Sequence, residues 1–356
     1  MVISVALGMV SCGNNRRLDA TNEVALDTLM ETLLFPQGKY VHTLGDGAIS
    51  IPLDKKKSLW LYGDSHVGEQ TGDIRETIIP NVFGNVFVVL DGDSARTIVG
   101  GDPGSPHPVI ESEPVDGKHA VYWPHHGFLK DGILHLFAGH IIFGGSGGTW
   151  DFHCRALVYC RLSYPDFKLI SLQELEAYPI NNVDYGFGMH EYKGYYYFYG
   201  NQVQGYFASL HAGRARLINN RLQDWEYFDG TGWTTDPSKT QPLAGIDVSV
   251  SSQFSIFKHK NKYILLNQER GIGTTDIYTF IADNPTGPWY NKKHIYTTPE
   301  TIRDDNLFTY NAMAHPQYDL NDMLLVTYCV NTHKLTNSVS NYRPRYIRVP
   351  YKMILK

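Results

Sequence analysis

Charge is sparse in this 356-residue chain. Lys, Arg, Asp and Glu together make up only 19% of it, and the formal net charge is −5 with no basic face in view. An electrostatic footprint for nucleic acid is therefore excluded as an expectation. Cysteine is scarce as well, with four residues and no CxxC-type zinc spacing. Cys154 and Cys160 fall on what reads as one strand, so they stand roughly 20 Å apart at strand rise, too far to bridge. With Cys329 they read as buried apolar fillers. Helix-period segments are nearly absent; only "NEVALDTLMETLLF" (22–35) suits a helix. No Pro/Ser-rich linker divides the chain, so residues 21–356 are expected to form a single domain.

Long apolar runs are missing too. The opening "MVISVALGMVSCGNN" is too short to span a bilayer. It has the form of a short bacterial lipoprotein signal with Cys12 as the lipidated residue, although no Lys or Arg precedes the run and Met9 stands where Leu is usual. The expectation is an exported protein, periplasmic or at the outer membrane. Residues 1–20 then serve as signal and tether, and the membrane is touched only through Cys12.

What is present is aromatic and turn-rich: 13% aromatics with 24 Tyr, 33 Gly and 18 Pro, the composition of a β protein with a ligand-facing surface. Five segments repeat one plan, a strand, a tight charged turn and an aromatic-rich strand that stops on polar residues. They are "GAISIPLDKKKSLWLYGDS" (47–65), "HGFLKDGILHLFAGH" (126–140), "GFGMHEYKGYYYFYGN" (186–201), "SQFSIFKHKNKYILLNQE" (252–269) and "NAMAHPQYDLNDMLLVTYCVN" (311–331). Turns such as Lys130-Asp131-Gly132 and Lys193-Gly194 suit hairpins, and further strand-like runs follow each one. Four strands repeated five times predict an all-β, five-bladed β-propeller. Its blades should lie near 41–100, 121–170, 184–230, 247–290 and 308–350, with "RPRYIRVP" helping to close the ring. A pair of β-sandwiches is the competing fold.

In a propeller the start of each inner strand and the end of the second strand meet on one face. That face collects Asp46, Asp64, Ser65 and His66 from blade 1, and His125, His126 and His140 from blade 2, with Trp150 in the next loop. Blade 3 adds Asp184, blade 4 adds Gln268, Glu269 and Arg270, and blade 5 adds Tyr310 and Asn311. The opposite face receives mostly lysine turns. Carboxylates, amides, imidazoles and an indole around one mouth are what binding and hydrolysing a sugar requires. An ordinary turn is the competing explanation for Asp64, and a surface pair with Arg270 the competing one for Glu269. His190 and His315 fall in inner strands, where a buried hydrogen-bonded His is the alternative to a channel cation ligand.

"GDGAISIPLDKKKSLWLYGDS", "NPTGPW" (284–289) and "YNAMAHPQ" (310–317) with "LLVTYCVN" resemble bacterial secreted five-bladed propellers catalogued as domains of unknown function. Some relatives of that group are endo-arabinanases on D-arabinofuranose polymers, and the group is distantly similar to family forty-three glycoside hydrolases. The resemblance implies an Asp at the start of blade 1, matched by Asp46, an Asp at the start of blade 3, for which Asp184 is nearest, and a Glu on blade 4. Here blade 4 opens with Asp247 and "SVSSQ", and the nearest Glu is Glu269. It also implies a channel Ca or Na near a blade 5 His, which His315 matches; no cofactor is otherwise expected. Gly63-Asp64-Ser65 matches the unknown-function group alone, which raises Asp64 as its own candidate.

The sequence thus points to an exported glycoside hydrolase, monomeric, acting on a furanose-containing or complex polysaccharide. Asp46 or Asp64 would be base or nucleophile, Glu269 the acid and Asp184 a tuning group. A non-catalytic glycan-binding lipoprotein and a phosphorolytic enzyme are the alternatives.

Overall fold

Alternation of apolar residues along each strand decides how the sheets stack. In the strand Lys57–Tyr62, Leu59 and Leu61 pack to one side against residues 134–162, while Trp60 and Tyr62 pack to the other against Leu325 and Tyr346. Each sheet therefore has two apolar faces and must be covered on both, which a ring of radial sheets satisfies. The computed structural model, which describes residues 23–75, 83–102, 105–144, 151–271, 273–334 and 338–356, is that ring.

Five antiparallel sheets follow one another as blades. Blade 1 comprises Ile49–Pro52, Lys57–Tyr62, Val86–Asp91 and Ser94–Ile98. Blade 2 comprises Ala120–Lys130, Ile133–Phe143, Phe152–Ser163 and Leu169–Glu174. Blade 3 has Val183–Tyr192, Tyr195–Gln204, Phe207–Ile218 and Arg221–Phe228, with Trp233–Thr234 added at its edge. Blade 4 has Ser255–His259, Lys262–Gln268, Asp276–Ala282 and Tyr290–Thr297. Blade 5 has Leu307–Ala314, Met323–Thr332 and Pro344–Pro350, completed by Ala25–Leu26 from the other end of the chain. The five repeats of the sequence are the five inner hairpins. A hydrophobic cluster fills every boundary between neighbouring blades, including the one between blades 5 and 1.

Two details differ from the sequence expectation. "RPRYIRVP" is the third strand of its blade, and the ring is closed by the segment expected to be helical. There Ala25 pairs with Arg348 and Leu26 with Ile347 before the helix Thr28–Leu34 begins. Asp27 joins both elements: its Oδ1 accepts from Met30 N at 3.2 Å, and its Oδ2 receives Arg348 Nε at 2.8 Å in a pair that is almost wholly buried. Second, the chain does not turn at Gly63-Asp64 into the next strand of blade 1. It leaves as Ser65–Thr71, which pairs with Gly38–Gly45 in a separate sheet, Gly45 facing Ser65 and Leu44 facing His66. It returns at Val86. The three described cysteines are free. Cys12 and Trp150 lie outside the described residues.

Candidate active site

Asp46 leads into the first strand of blade 1 and Asp64 follows the second, so the hairpin returns one to the other. Gly63 N–H donates to the Asp46 carbonyl at 2.8 Å. Gly63 also leaves space for the Asp46 carboxylate, because a Cβ there would stand 2.7 Å from Oδ1. Gly63 does not have a positive φ, so Gly63→Ala should displace the end of the Asp46 side chain at little cost to the fold. We expect a melting temperature close to wild type with a clear loss of turnover, read by calorimetry and by a hydrolysis assay.

The two carboxyls are held differently. Tyr310 OH donates to Asp46 Oδ2 at 2.7 Å, Tyr342 OH makes a second hydrogen bond to the same group, and Asn331 Nδ2 donates to Tyr310 OH at 3.3 Å. Hydroxyl donors stabilise an ionised carboxylate. Among the described residues Asp64 has one hydrogen-bond donor, Trp123 Nε1 to Oδ1 at 2.7 Å, which leaves Oδ2 for a proton. Both groups keep some exposure while protein surrounds them on nearly every side, as at the bottom of a narrow well. Burial raises both pKa values. Asp64 is pushed up to about 7 by burial and then by the Asp46 charge, against the Trp123 hydrogen bond. For Asp46, burial is opposed by the two tyrosines. Of the two coupled groups, Asp64 has the fewer hydrogen-bond donors and so holds a proton more readily than Asp46.

Trp123 comes from the inner strand of blade 2, its ring edge-on to Phe152 at 4.8 Å and to Phe143 at 6.0 Å. Two residues further along that strand, His125 Nδ1–H donates to Tyr185 O at 2.9 Å and Nε2 stands 3.8 Å from Asp184 Oδ1. Asp184 opens the inner strand of blade 3; burial raises its pKa, while His125 and Arg270 lower it. Its Oδ1 is buried with no hydrogen-bond partner among the described residues. Arg270 Nη1 donates to Ser252 Oγ at 2.7 Å. The mouth therefore has an acid pair on the side of blades 5, 1 and 2, and an Asp184–His125–Arg270 cluster on the side of blades 2, 3 and 4.

Other sequence candidates are engaged elsewhere. His126 sits in a bulge of the inner strand with Nδ1 turned to the Gly127 backbone, and burial lowers its pKa to about 4. His66 lies in the separate sheet beside His42. His140 stacks on Tyr122 at 4.5 Å and bonds Ser112 Oγ at 2.9 Å. Gln268 donates to Thr309 Oγ1 and the Thr274 carbonyl. Asn311, at φ 56°, accepts from Ser251 Oγ and Gln253 N, tying blade 4 to blade 5.

Glu269 follows the second strand of blade 4, where its N–H donates to Asp276 O at 3.0 Å, and its charge acts on Tyr278 in the third strand. His315 has both ring nitrogens taken, Nδ1 by Ser50 Oγ at 2.6 Å and Nε2 by Thr327 Oγ1 at 2.9 Å, so a metal would have to displace a buried hydroxyl. Gln317 Nε2 donates to the same Ser50 Oγ, whose own proton therefore goes to Nδ1. His315 is a neutral strut between blades 5 and 1. Among the described residues no group of three or more His, Cys, Asp or Glu is arranged to hold a metal, and no helix is long and apolar enough to cross a membrane. Two hollows, of about 360 and 290 Å³, lie by the lysine turns at Asp54–Lys56 and Lys130, and neither is lined by the paired acids.

Sequence reading overlooked Trp123 and Tyr342. Trp123 had a usable signal, since "YWPHHG" is the approach to a strand already assigned to the mouth. Tyr342 had none, lying in a short 3-10 turn after a long excursion.

The model of a family described as a domain of unknown function, DUF5005, matches residues 35–351. No curated protein matches the chain. Among solved structures, a presumed hydrolase from Bacteroides ovatus is similar at 18% identity and TM-score 0.72, over 92% of this chain and 90% of the other. That likeness is one of fold. Looser superpositions are given by a GH43_1 enzyme of Xanthomonas citri complexed with xylose, at 12% identity and TM-score 0.49 over 91% and 92% of the two chains. An α-L-arabinanase mutant of Cellvibrio cellulosa gives 10% and 0.48 over 87% and 91%.

Proposed function

We propose, for a chain that belongs to the DUF5005 family, a glycoside hydrolase in which Asp64 is the general acid and Asp46 the base or nucleophile. The observation that carries this reading is the unequal treatment of two neighbouring, part-exposed carboxyls: Asp46 receives two tyrosine hydroxyls, and Asp64 receives one indole N–H while keeping an oxygen for its proton. Acid/base chemistry on an acetal needs that asymmetry. The proton on Asp64 Oδ2 passes to the glycosidic oxygen as the C–O bond breaks. Asp46 meanwhile attacks the anomeric carbon or takes the proton of the attacking water. The Arg270 guanidinium, which donates to Ser252 Oγ, is available to donate to sugar hydroxyls as well. Glu269 has no part in this assignment. A furanose-containing or complex polysaccharide remains the substrate class, and a lipid anchor at Cys12 would put the mouth where such polymers are met.

The test is incubation of purified protein with arabinans, arabinogalactans and pectic fragments, with product analysis of wild type beside Asp64→Asn. Cleavage by wild type alone supports the reading. Glycan binding without cleavage assigns the protein as a binding module instead.

Because the acid works only when protonated, kcat/KM should fall as pH rises through about 7. Trp123 stabilises the ionised form of Asp64. Removing its N–H in Trp123→Phe should therefore raise that pKa and move the alkaline limb to higher pH, which a pH–rate profile of the two proteins will show.

A further inference from the structure

The turn between the second and third strands of blade 3, Gln204-Gly205-Tyr206-Phe207, is unlike the lysine turns at the other ends of the hairpins. Tyr206 is 104% exposed, and Phe207 and Val203 beside it are 45% and 38% exposed. Ile180, which precedes the inner strand of the same blade, is also exposed, and the neighbouring Asn181 carbonyl accepts from Gln202 Nε2 at 2.6 Å. Four apolar side chains thus stand at one rim. They are on the face of the mouth: Asp184 pairs with Asn201 on the strand that runs out to this turn, so the tip lies about 10–13 Å beyond Asp184 at strand rise.

We propose that this hairpin is a distal binding platform for a polymeric glycan chain leaving the mouth, which makes the substrate a polysaccharide rather than a short oligosaccharide. The proposal rests on the hydrolase reading above and specifies its substrate.

Three features select a glycan over other occupants. Residues 201–209 carry no charge, whereas a segment docking on an anionic lipid surface brings Lys or Arg. The exposed apolar side chains are few and would bury far less than the roughly 1,200–2,000 Å² of a stable protein interface. The aromatic rings are interleaved with amides, Gln202 and Gln204, whose side chains hydrogen-bond each other at 2.7 Å and present further donors and acceptors for hydroxyls. Aromatic faces with amides at their edge suit a pyranose or furanose ring, which has an apolar face and a polar rim. The turn at the same place on blade 2 is also flanked by aromatics, Phe143 and Phe152, which pack on Trp123 beside Asp64. Two adjacent blades thus carry aromatics on this face, and those of blade 2 reach the acid pair through Trp123.

The experiment compares Tyr206→Ala, Phe207→Ala and the double variant with wild type on a polymer and on a short aryl glycoside of the same sugar. Binding of arabinan, arabinogalactan, xylan and galacturonan is measured separately in the Asp64→Asn background by affinity electrophoresis. Because Tyr206 is wholly outside the core, folding should be unaffected, and a thermal scan checks it. We expect polymer kcat/KM and polymer binding to fall about tenfold in the double variant, the size of one aromatic anchor lost, with aryl glycoside turnover unchanged. Equal losses on both substrates, no loss on either, or no polymer bound by the Asp64→Asn protein overturns the platform. So does sedimentation of wild type, but not the double variant, with phosphatidylglycerol vesicles, or a wild-type dimer that the variants dissolve. Failure of the hydrolase reading would appear differently, as turnover surviving in Asp64→Asn or as polymer binding with no cleavage by wild type.

Discussion

Asp64→Asn should reduce kcat on a cleaved glycan by roughly a thousandfold, within the range general acid/base groups contribute, while leaving the protein at least as stable as wild type. The amide keeps an oxygen for the Trp123 N–H and the size of the side chain, but has no acidic proton to deliver. The stability half follows from linkage. A carboxyl whose folded pKa is raised costs nothing below its unfolded value near 4, costs progressively more as pH rises from there to about 7, and keeps that full cost above it. Asparagine removes that cost, so urea unfolding at pH 8 should show the variant equal or better while activity collapses. Asp46→Asn should lose activity comparably, because the group its two tyrosines orient can no longer attack or take a proton. A variant at either position that retains wild-type turnover would remove the paired-carboxyl mechanism.

The largest stability effect is expected at the far side of the ring. Asp27→Ala leaves the buried Arg348 guanidinium without its counter-charge, and breaking a buried pair from one side costs about 3–5 kcal/mol. The same change removes the acceptor for Met30 N at the start of the helix Thr28–Leu34, worth about 0.5–2 kcal/mol. Asp27→Asn preserves the acceptor and loses only the charge, so the order of stability should be wild type, then Asn, then Ala. Lys57→Ala is the control, since its 3.1 Å contact with Asp91 is exposed and such pairs contribute little. Urea denaturation at neutral pH distinguishes the four proteins, and an alanine variant within about 0.5 kcal/mol of wild type would show that blade 5 does not depend on this fastening.

The ring was legible because strand period and turn chemistry are local. Lys130-Asp131-Gly132 and Lys193-Gly194 mark hairpins wherever they occur, and five similar hairpins imply a closed array. The gathering of Asp46 with Asp64 was legible for the same reason, as two ends of one hairpin must meet. Other features depended on contacts distant in sequence. Trp123 reaches Asp64 across 59 residues and two blades, and Tyr310 reaches Asp46 across 264. Ser65–Thr71, "SHVGEQT", alternates too weakly to announce a strand, and its partner Gly38–Gly45 lies before the blade it leaves. For His315 the sequence showed a ring in a channel and gave no sign of the serine and threonine hydroxyls that occupy it.

The separate sheet has a consequence for how the acid pair responds to motion. Asp46 and Asp64 each stand one position beyond Gly45 and Ser65, which face each other across that sheet. Their attachment points therefore travel together, whereas Trp123 belongs to one adjacent blade and Tyr310 to the other. When neighbouring blades rock, the gap between the carboxyls holds and the donors come and go. Breathing of the disc would thus adjust proton affinity rather than reach, and strain applied at the rim would be felt at the centre as a change in acidity.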